Sequence, residues 1–115
     1  TLIEKSFRKV EFLRYAAKDL GLESRVSVEH VDVAQIVFDK KITWITSRAM
    51  CQSAKLIELI GVEQLHGRHL VMMKAQLDKI YNEEKDLPKS CVSDIIALKP
   101  LSEKKQRNLM ILTFK

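Results

Sequence analysis

Residues 1–21 read TLIEKSFRKVEFLRYAAKDLG, and the fold turns on how the join at Glu4 is read. Residues 2–5 are short and compatible with a strand. Ser6 is a good N-cap, and Phe7, Val10, Leu13, Ala17 and Leu20 then recur at helical spacing. Arg8, Lys9, Glu11, Arg14 and Lys18 take the other faces, and Gly21 supplies the expected stop. The stretch therefore predicts a strand that ends on a carboxylate just where a basic amphipathic helix begins.

Outward from that join, strands and helices alternate. RVSVEHV (residues 25–31) puts Val26, Val28 and His30 on one side of a period-two pattern, and DVAQIVF after it predicts a short helical turn. ITWIT (42–46) reads as a buried, β-branched strand. SRAM (47–50) leads from it into a helix, AKLIELIGVEQL, with Ala54, Ile57 and Ile60 as its core face. Gly67 turns the chain into HLVMMKA, a nearly continuous apolar strand of the kind buried on both faces. QLDKIYNEEKDL is a further helix closed by Pro88, and residues 91–98 and 108–114 form a last antiparallel hairpin around the polar turn PLSEKKQR. The order β-α-β-α-β-α-β-α-β-β predicts an α/β fold with an open, mostly parallel sheet, helices on both faces and an antiparallel C-terminal hairpin. No repeat, linker or low-complexity segment interrupts it, so one compact unit is expected.

The bulk composition fits this reading. A chain of 115 residues with 46% hydrophobic and 30% charged residues is of the size and balance of one small globular domain. Aromatics supply only 6%, so the core must be aliphatic. A net charge of +5 and a pI near 9.3 favour an anionic partner such as nucleic acid. Cys51 and Cys91 show no CxxC spacing, which predicts reduced thiols in a cytoplasmic protein. No apolar run approaches the ~20 residues needed to cross a bilayer, and no signal peptide is present, so no membrane partner is expected.

Glu4 has two readings. It is a solvated carboxylate favoured by the dipole at a helix N-terminus, or the acid at the end of a second strand that accepts two ribose hydroxyls in nucleotide-binding α/β folds. The partner of the second reading is a Gly-rich turn after a first strand, ~20 residues upstream. Gly21, Gly61 and Gly67 are the only glycines, and they form no such loop. The topology reads as if it begins at the second strand.

With TLIEKSFRKVEFLRYAAKDLGL, VSVEHVDVAQI, WITSRAM and RNLMILTFK in this order, the chain resembles the bacterial small-subunit rRNA guanine-N7 methyltransferase G family, also called glucose-inhibited division protein B. The resemblance runs along nearly the whole chain and is strongest from residue 2 to about 57. It implies a Rossmann-like class I methyltransferase that uses S-adenosyl-L-methionine. Glu4 would hold the ribose, and Val31 and Asp32 would sit beside the adenine. Arg48 would line the cofactor and target-base pocket and act as the catalytic residue. The family typically has arginine-x-glutamate where this chain has His30-Val31-Asp32, which loosens the side-chain roles there. Family members also carry a helical N-terminal portion, a first strand and a Gly-rich loop. The expectation is therefore the C-terminal part of a single methyltransferase domain, residues 1–115. Such a chain is a fragment, a truncated product, or one whose gap another chain fills, and the incomplete sheet leaves room for self-association.

Methylating guanine N7 needs orientation more than acid–base help, because N7 presents an unprotonated lone pair. Arg48 is suited to the cofactor carboxylate, a phosphate or a guanine edge, and equally to an ion pair at a strand end. Arg8, Lys9, Arg14, Lys40, Lys41, Lys104, Lys105 and Arg107 are candidate contacts to ribosomal RNA phosphates, although most such side chains are solvated surface. His66 and His69 have HxxH spacing but no third ligand, so no metal is expected. Met72 and Met73 are expected in the core, and Trp44 either there or stacked on a base. Two rival functions remain on sequence alone: a class I methyltransferase with another substrate, and a non-catalytic scaffold for RNA or a partner chain.

Overall fold

The computed structural model describes residues 1–48, 50–99 and 105–115. The strand–helix alternation is as expected, but it forms two compact units, Thr1–Val37 and Phe38–Lys115, where one was anticipated. The strands form a two-stranded and a four-stranded sheet, as a sheet read as lacking its first strand would. Within the first unit β1 (Leu2–Glu4) pairs in parallel with β2 (Val28–His30), and α1 (Phe7–Asp19) connects them. A 3-10 turn at Val33–Gln35 follows β2.

The sequence sets the ends of α1. Ser6 occupies the N-cap without using its hydroxyl; its amide instead donates to Oε1 of Glu4 at 2.9 Å. At the other end Gly21 adopts φ 67°, and the amides of Gly21 and Leu22 return to the carbonyls of Lys18 and Ala17. This is the paired closure that a left-handed residue permits. The expected five-residue apolar face narrows to Val10 and Ala17, seven positions apart. Phe7, Phe12, Tyr15 and Leu20 are exposed.

In the second unit β3 (Trp44–Arg48), β4 (His69–Lys74), β5 (Cys91–Leu98) and β6 (Arg107–Phe114) stand in the order β3-β4-β6-β5. The β3–β4 pair is parallel and the other two pairs are antiparallel, giving a mixed sheet. The predicted helix at 54–65 is broken at Gly61 (φ 91°) into α2 (Ser53–Ile60) and α3 (Val62–Leu65). Its core face is Ser53, Leu56, Ile57 and Ile60 rather than one that includes Ala54. The remaining helix, α4, spans Leu77–Glu84.

The core consists of these helices' apolar residues together with Leu65, Ile80, Leu70, Met72, Met110, Leu112 and Phe114. All five of the strand residues among them lie on one face of the sheet. On the other face Trp44, Met73, Val92 and Ile96 are exposed. The readings of β4 as buried on both faces, and of Trp44 and Met73 as core, are therefore corrected. Hydropathy alone cannot say whether an apolar face has a neighbour.

Candidate functional site

In open α/β sheets ligands sit beyond the carboxyl ends of the parallel strands. In the first unit that edge is built by three predicted residues. Glu4 is in register with His30, and the amide of Val31 donates to the Glu4 carbonyl at 3.2 Å. Asp32 follows at once and caps the 3-10 turn, its Oδ1 accepting from the amide of Ala34 at 3.0 Å. Glu4, Val31 and Asp32 thus share one sheet edge. Each carboxylate uses one oxygen to fix its own turn, which leaves Oε2 of Glu4 and Oδ2 of Asp32 for a ligand among the described residues. The Val31 amide is committed to the ladder, so its carbonyl is the backbone group it can offer.

His30, where the family pattern has arginine, turns its Nε2 to the Lys5 carbonyl at 2.9 Å. A carbonyl can only accept, so that nitrogen carries the proton. The ring also lies 5.8 Å from that of Phe7. His30 therefore ties the exit of β2 to the chain just after Glu4.

In the second unit Arg48 is the last residue of β3, at its carboxyl end, and is exposed. Among the described residues it has no ion-pair partner. Because β6 runs antiparallel to β4, with Asn108 opposite Lys74, Lys105 and Arg107 come to this same carboxyl end. Lys40 and Lys41 lie at the opposite end, just before β3. Arg8 and Lys9 stand in the first turn of α1, in the other unit. Lys104 lies outside the described residues.

Two polar centres escaped the sequence reading. Lys74, at the end of β4, meets Glu83 of α4 at 2.8 Å, and both side chains are largely buried. Glu83 also accepts from the amide and hydroxyl of Ser53, at 2.9 and 2.5 Å, and so satisfies a donor at the start of α2. Burial pushes the Glu83 carboxyl up, but the hydrogen bonds from Lys74 and Ser53 outweigh it and hold the group below its ordinary value. Lys74 also reaches the Cys51 carbonyl at 3.5 Å, so the network anchors the segment that follows Arg48. The second centre is Arg68, whose guanidinium donates to the carbonyls of Ile42 (2.8 Å), Asp39 (3.1 Å) and Gln64. It holds the turn that carries Lys40 and Lys41. No spacing rule links Ser53 to Glu83 or Asp39 to Arg68.

Burial pushes the Cys91 thiol up, away from the thiolate that a nucleophile needs. Both cysteines are free. His69 bonds Thr113 rather than pairing with His66, and no group of three metal-binding side chains occurs among the described residues. No helix among those residues is long and apolar enough to cross a membrane.

Among solved structures the chain is similar to an rRNA methylase from Streptococcus thermophilus, with a TM-score of 0.62 and 12% identity over 97% of this chain and 70% of that one. It is likewise similar to a SAM-dependent O-methyltransferase from Thermotoga maritima, with a TM-score of 0.64 and 13% identity over 98% of this chain and 49% of that one. At such identities the likeness is one of fold, and the fold is that of the class I S-adenosylmethionine-dependent methyltransferases. The family model described as rRNA small subunit methyltransferase G (GidB) matches residues 1–110, and the chain belongs to that family. It is 30% identical over 114 residues to ribosomal RNA small subunit methyltransferase G of Brachyspira hyodysenteriae. That match covers 98% of this chain and 54% of the relative, so the chain spans about half the length of the curated protein it matches. S-adenosylmethionine is the cofactor that this membership implies.

The β1–β2 edge suits the nucleoside half of that cofactor. Two ribose hydroxyls and an exocyclic amine are all donors, and this edge offers two carboxylate oxygens and a carbonyl as acceptors.

Proposed function

We propose that the chain is the C-terminal part of a methyltransferase domain that acts in the cytoplasm on guanine N7 of small-subunit ribosomal RNA. The observation that carries this reading is the convergence of Glu4, Val31 and Asp32 at the carboxyl ends of two parallel strands in a member of this family. Among the described residues β1 pairs only with β2 and β3 only with β4 on its parallel side, which supports further sheet belonging to the domain.

When bound, S-adenosylmethionine supplies an electrophilic methyl group. Glu4 would take the ribose hydroxyls through Oε2, while Asp32 and the Val31 carbonyl would take the adenine amine. Arg48 would hold the guanine by its acceptor edge at O6, which keeps the N7 lone pair free to take the methyl group. No base is required, because N7 carries no proton to remove. The work of the site is alignment and exclusion of water.

The test is transfer of labelled methyl groups to small-subunit rRNA, with the product read as 7-methylguanosine after digestion. Arg48→Ala is expected to lower the rate at saturating cofactor by about ten- to a hundredfold, the scale of a misplaced reactant. Label on any other position would remove the guanine-N7 assignment, and an unchanged rate in Arg48→Ala would remove Arg48 from the site.

A further inference from the structure

Arg48 closes β3, and its neighbour across the sheet is Met73, the residue before Lys74. Beyond Arg48 the chain leaves the sheet and enters α2 at Ser53. That entry has no cap of its own, since Gln52 occupies the N-cap and makes no capping bond. Glu83 on α4 does the capping instead. Its Oε2 accepts from the Ser53 amide at 2.9 Å and from the Ser53 hydroxyl at 2.5 Å. Ser53 is fully buried, so water cannot replace that acceptor.

Lys74 completes the arrangement from the sheet side. Its Nζ lies 3.1 and 2.8 Å from the two Glu83 carboxylate oxygens and 3.5 Å from the Cys51 carbonyl. The two side chains are only 14% and 16% exposed, which shields the pair from the solvent that weakens surface ion pairs. The connection from Arg48 to α2 is thus held at two points, Cys51 and Ser53, by one buried pair. For stability alone, apolar side chains often serve as well in such a place, because desolvating two charges offsets most of their attraction. Apolar side chains cannot, however, grip a carbonyl at Cys51 and an amide at Ser53.

We propose that Lys74 and Glu83 are positioning residues for methyl transfer: they brace the segment 50–53 and thereby set where Arg48 stands. Both act through the backbone that follows Arg48. The inference rests on the reading of Arg48 as a residue of the guanine site, and adds to it the pair through which α4 supports that residue.

The test removes both charges together. Lys74→Met, Glu83→Met leaves no orphan ammonium, so its urea midpoint is expected above that of Glu83→Ala. The Cys51 carbonyl and the Ser53 amide nevertheless lose their partners. Cys51 itself reports the loosening, with Cys91 of β5 in the same unit as the reference thiol. Labelling by a small thiol reagent, read by mass spectrometry, is expected to run about tenfold faster at Cys51 in the double variant, the factor for one charge-assisted hydrogen bond, and unchanged at Cys91. Equal acceleration at both thiols, or none at Cys51, overturns the brace. Methyl transfer to small-subunit rRNA should fall by about tenfold or more in the double variant, the scale of a misplaced reactant. Adding Arg48→Ala should then cost less than about threefold further, because both changes act on one group. Transfer that recovers together with the urea midpoint, or full additivity with Arg48→Ala, shows a purely structural pair and overturns the proposal. An unchanged rate in Arg48→Ala alone is a failure of the guanine-site reading, and the ratio of labelling at Cys51 and Cys91 still decides the brace.

Discussion

Arg68→Ala is expected to destabilise the Phe38–Lys115 unit by about 4 kcal/mol, from three charge-assisted hydrogen bonds of about 1.5–3 kcal/mol each, offset by rehydration of the carbonyls. The side chain is half-buried, and it stitches the start of β4 to residues 39–42 and to the end of α3. Its ring contact with Phe38, 5.8 Å from guanidinium to centroid, is lost as well. Lysine is a poor substitute, since one ammonium cannot span three carbonyls spread over a turn and a helix end. Trp44 lies in this unit, so its fluorescence follows the unit's unfolding in urea. A lowered midpoint is expected for both Arg68→Ala and Arg68→Lys, and an unchanged midpoint would show that the clamp is ornamental.

Glu83→Ala is the second large effect, a loss of about 3 kcal/mol. Removing the carboxylate leaves the Lys74 ammonium largely buried without its partner, and frees the amide and hydroxyl of Ser53 at the start of α2. The same group predicts a pH dependence. Its folded value lies below the ordinary 4.5, so the folded state binds fewer protons than the unfolded chain around that pH. The stabilisation is therefore complete above 4.5 and is lost as pH falls through the depressed folded value. The wild-type urea midpoint should drop on acidification through this window, while Glu83→Gln starts lower and drops less. Parallel acid limbs in the two proteins would contradict the assignment.

What could be read in the sequence was local. Ser6, the apolar spacing of α1 and Gly21 announce a helix and its end, and the turn composition between residues 98 and 107 announces a hairpin. The position of Glu4 at a strand end was legible for the same reason. Its bond to the Ser6 amide was not, because capping rules give the amide of the cap residue to a side chain three positions on, not to one two positions before it. ITWIT was read two residues early. The carbonyls of Ile42 and Thr43 are taken by Arg68 and His69, and the strand proper runs from Trp44 to Arg48. Gly61 breaks a helix that periodicity carries through it. The core reading of Trp44 and Met73 failed because apolar character marks what can be buried, not what is.

The site divides along the same line. The β1–β2 edge follows from strand ends and the parallel register, so Glu4, Val31 and Asp32 fall together. The RNA candidates do not form one patch. Lys105 and Arg107 share the carboxyl end with Arg48, and Lys40 and Lys41 stand at the amino end. Register across a mixed sheet decides this, and β6 reverses direction relative to β4. The Lys74–Glu83–Ser53 network and the Arg68 clamp are tertiary contacts with no linear signature.

The central claim is that Glu4 grips the ribose of S-adenosylmethionine at the end of β1. Calorimetric titration of the chain with S-adenosylmethionine, in parallel with Glu4→Ala, addresses it most directly. The account predicts saturable one-to-one binding, weakened in the variant by about 1.5–3 kcal/mol, the range of a charge-assisted hydrogen bond. Absence of heat from the wild-type chain, or the same dissociation constant in both proteins, would contradict it.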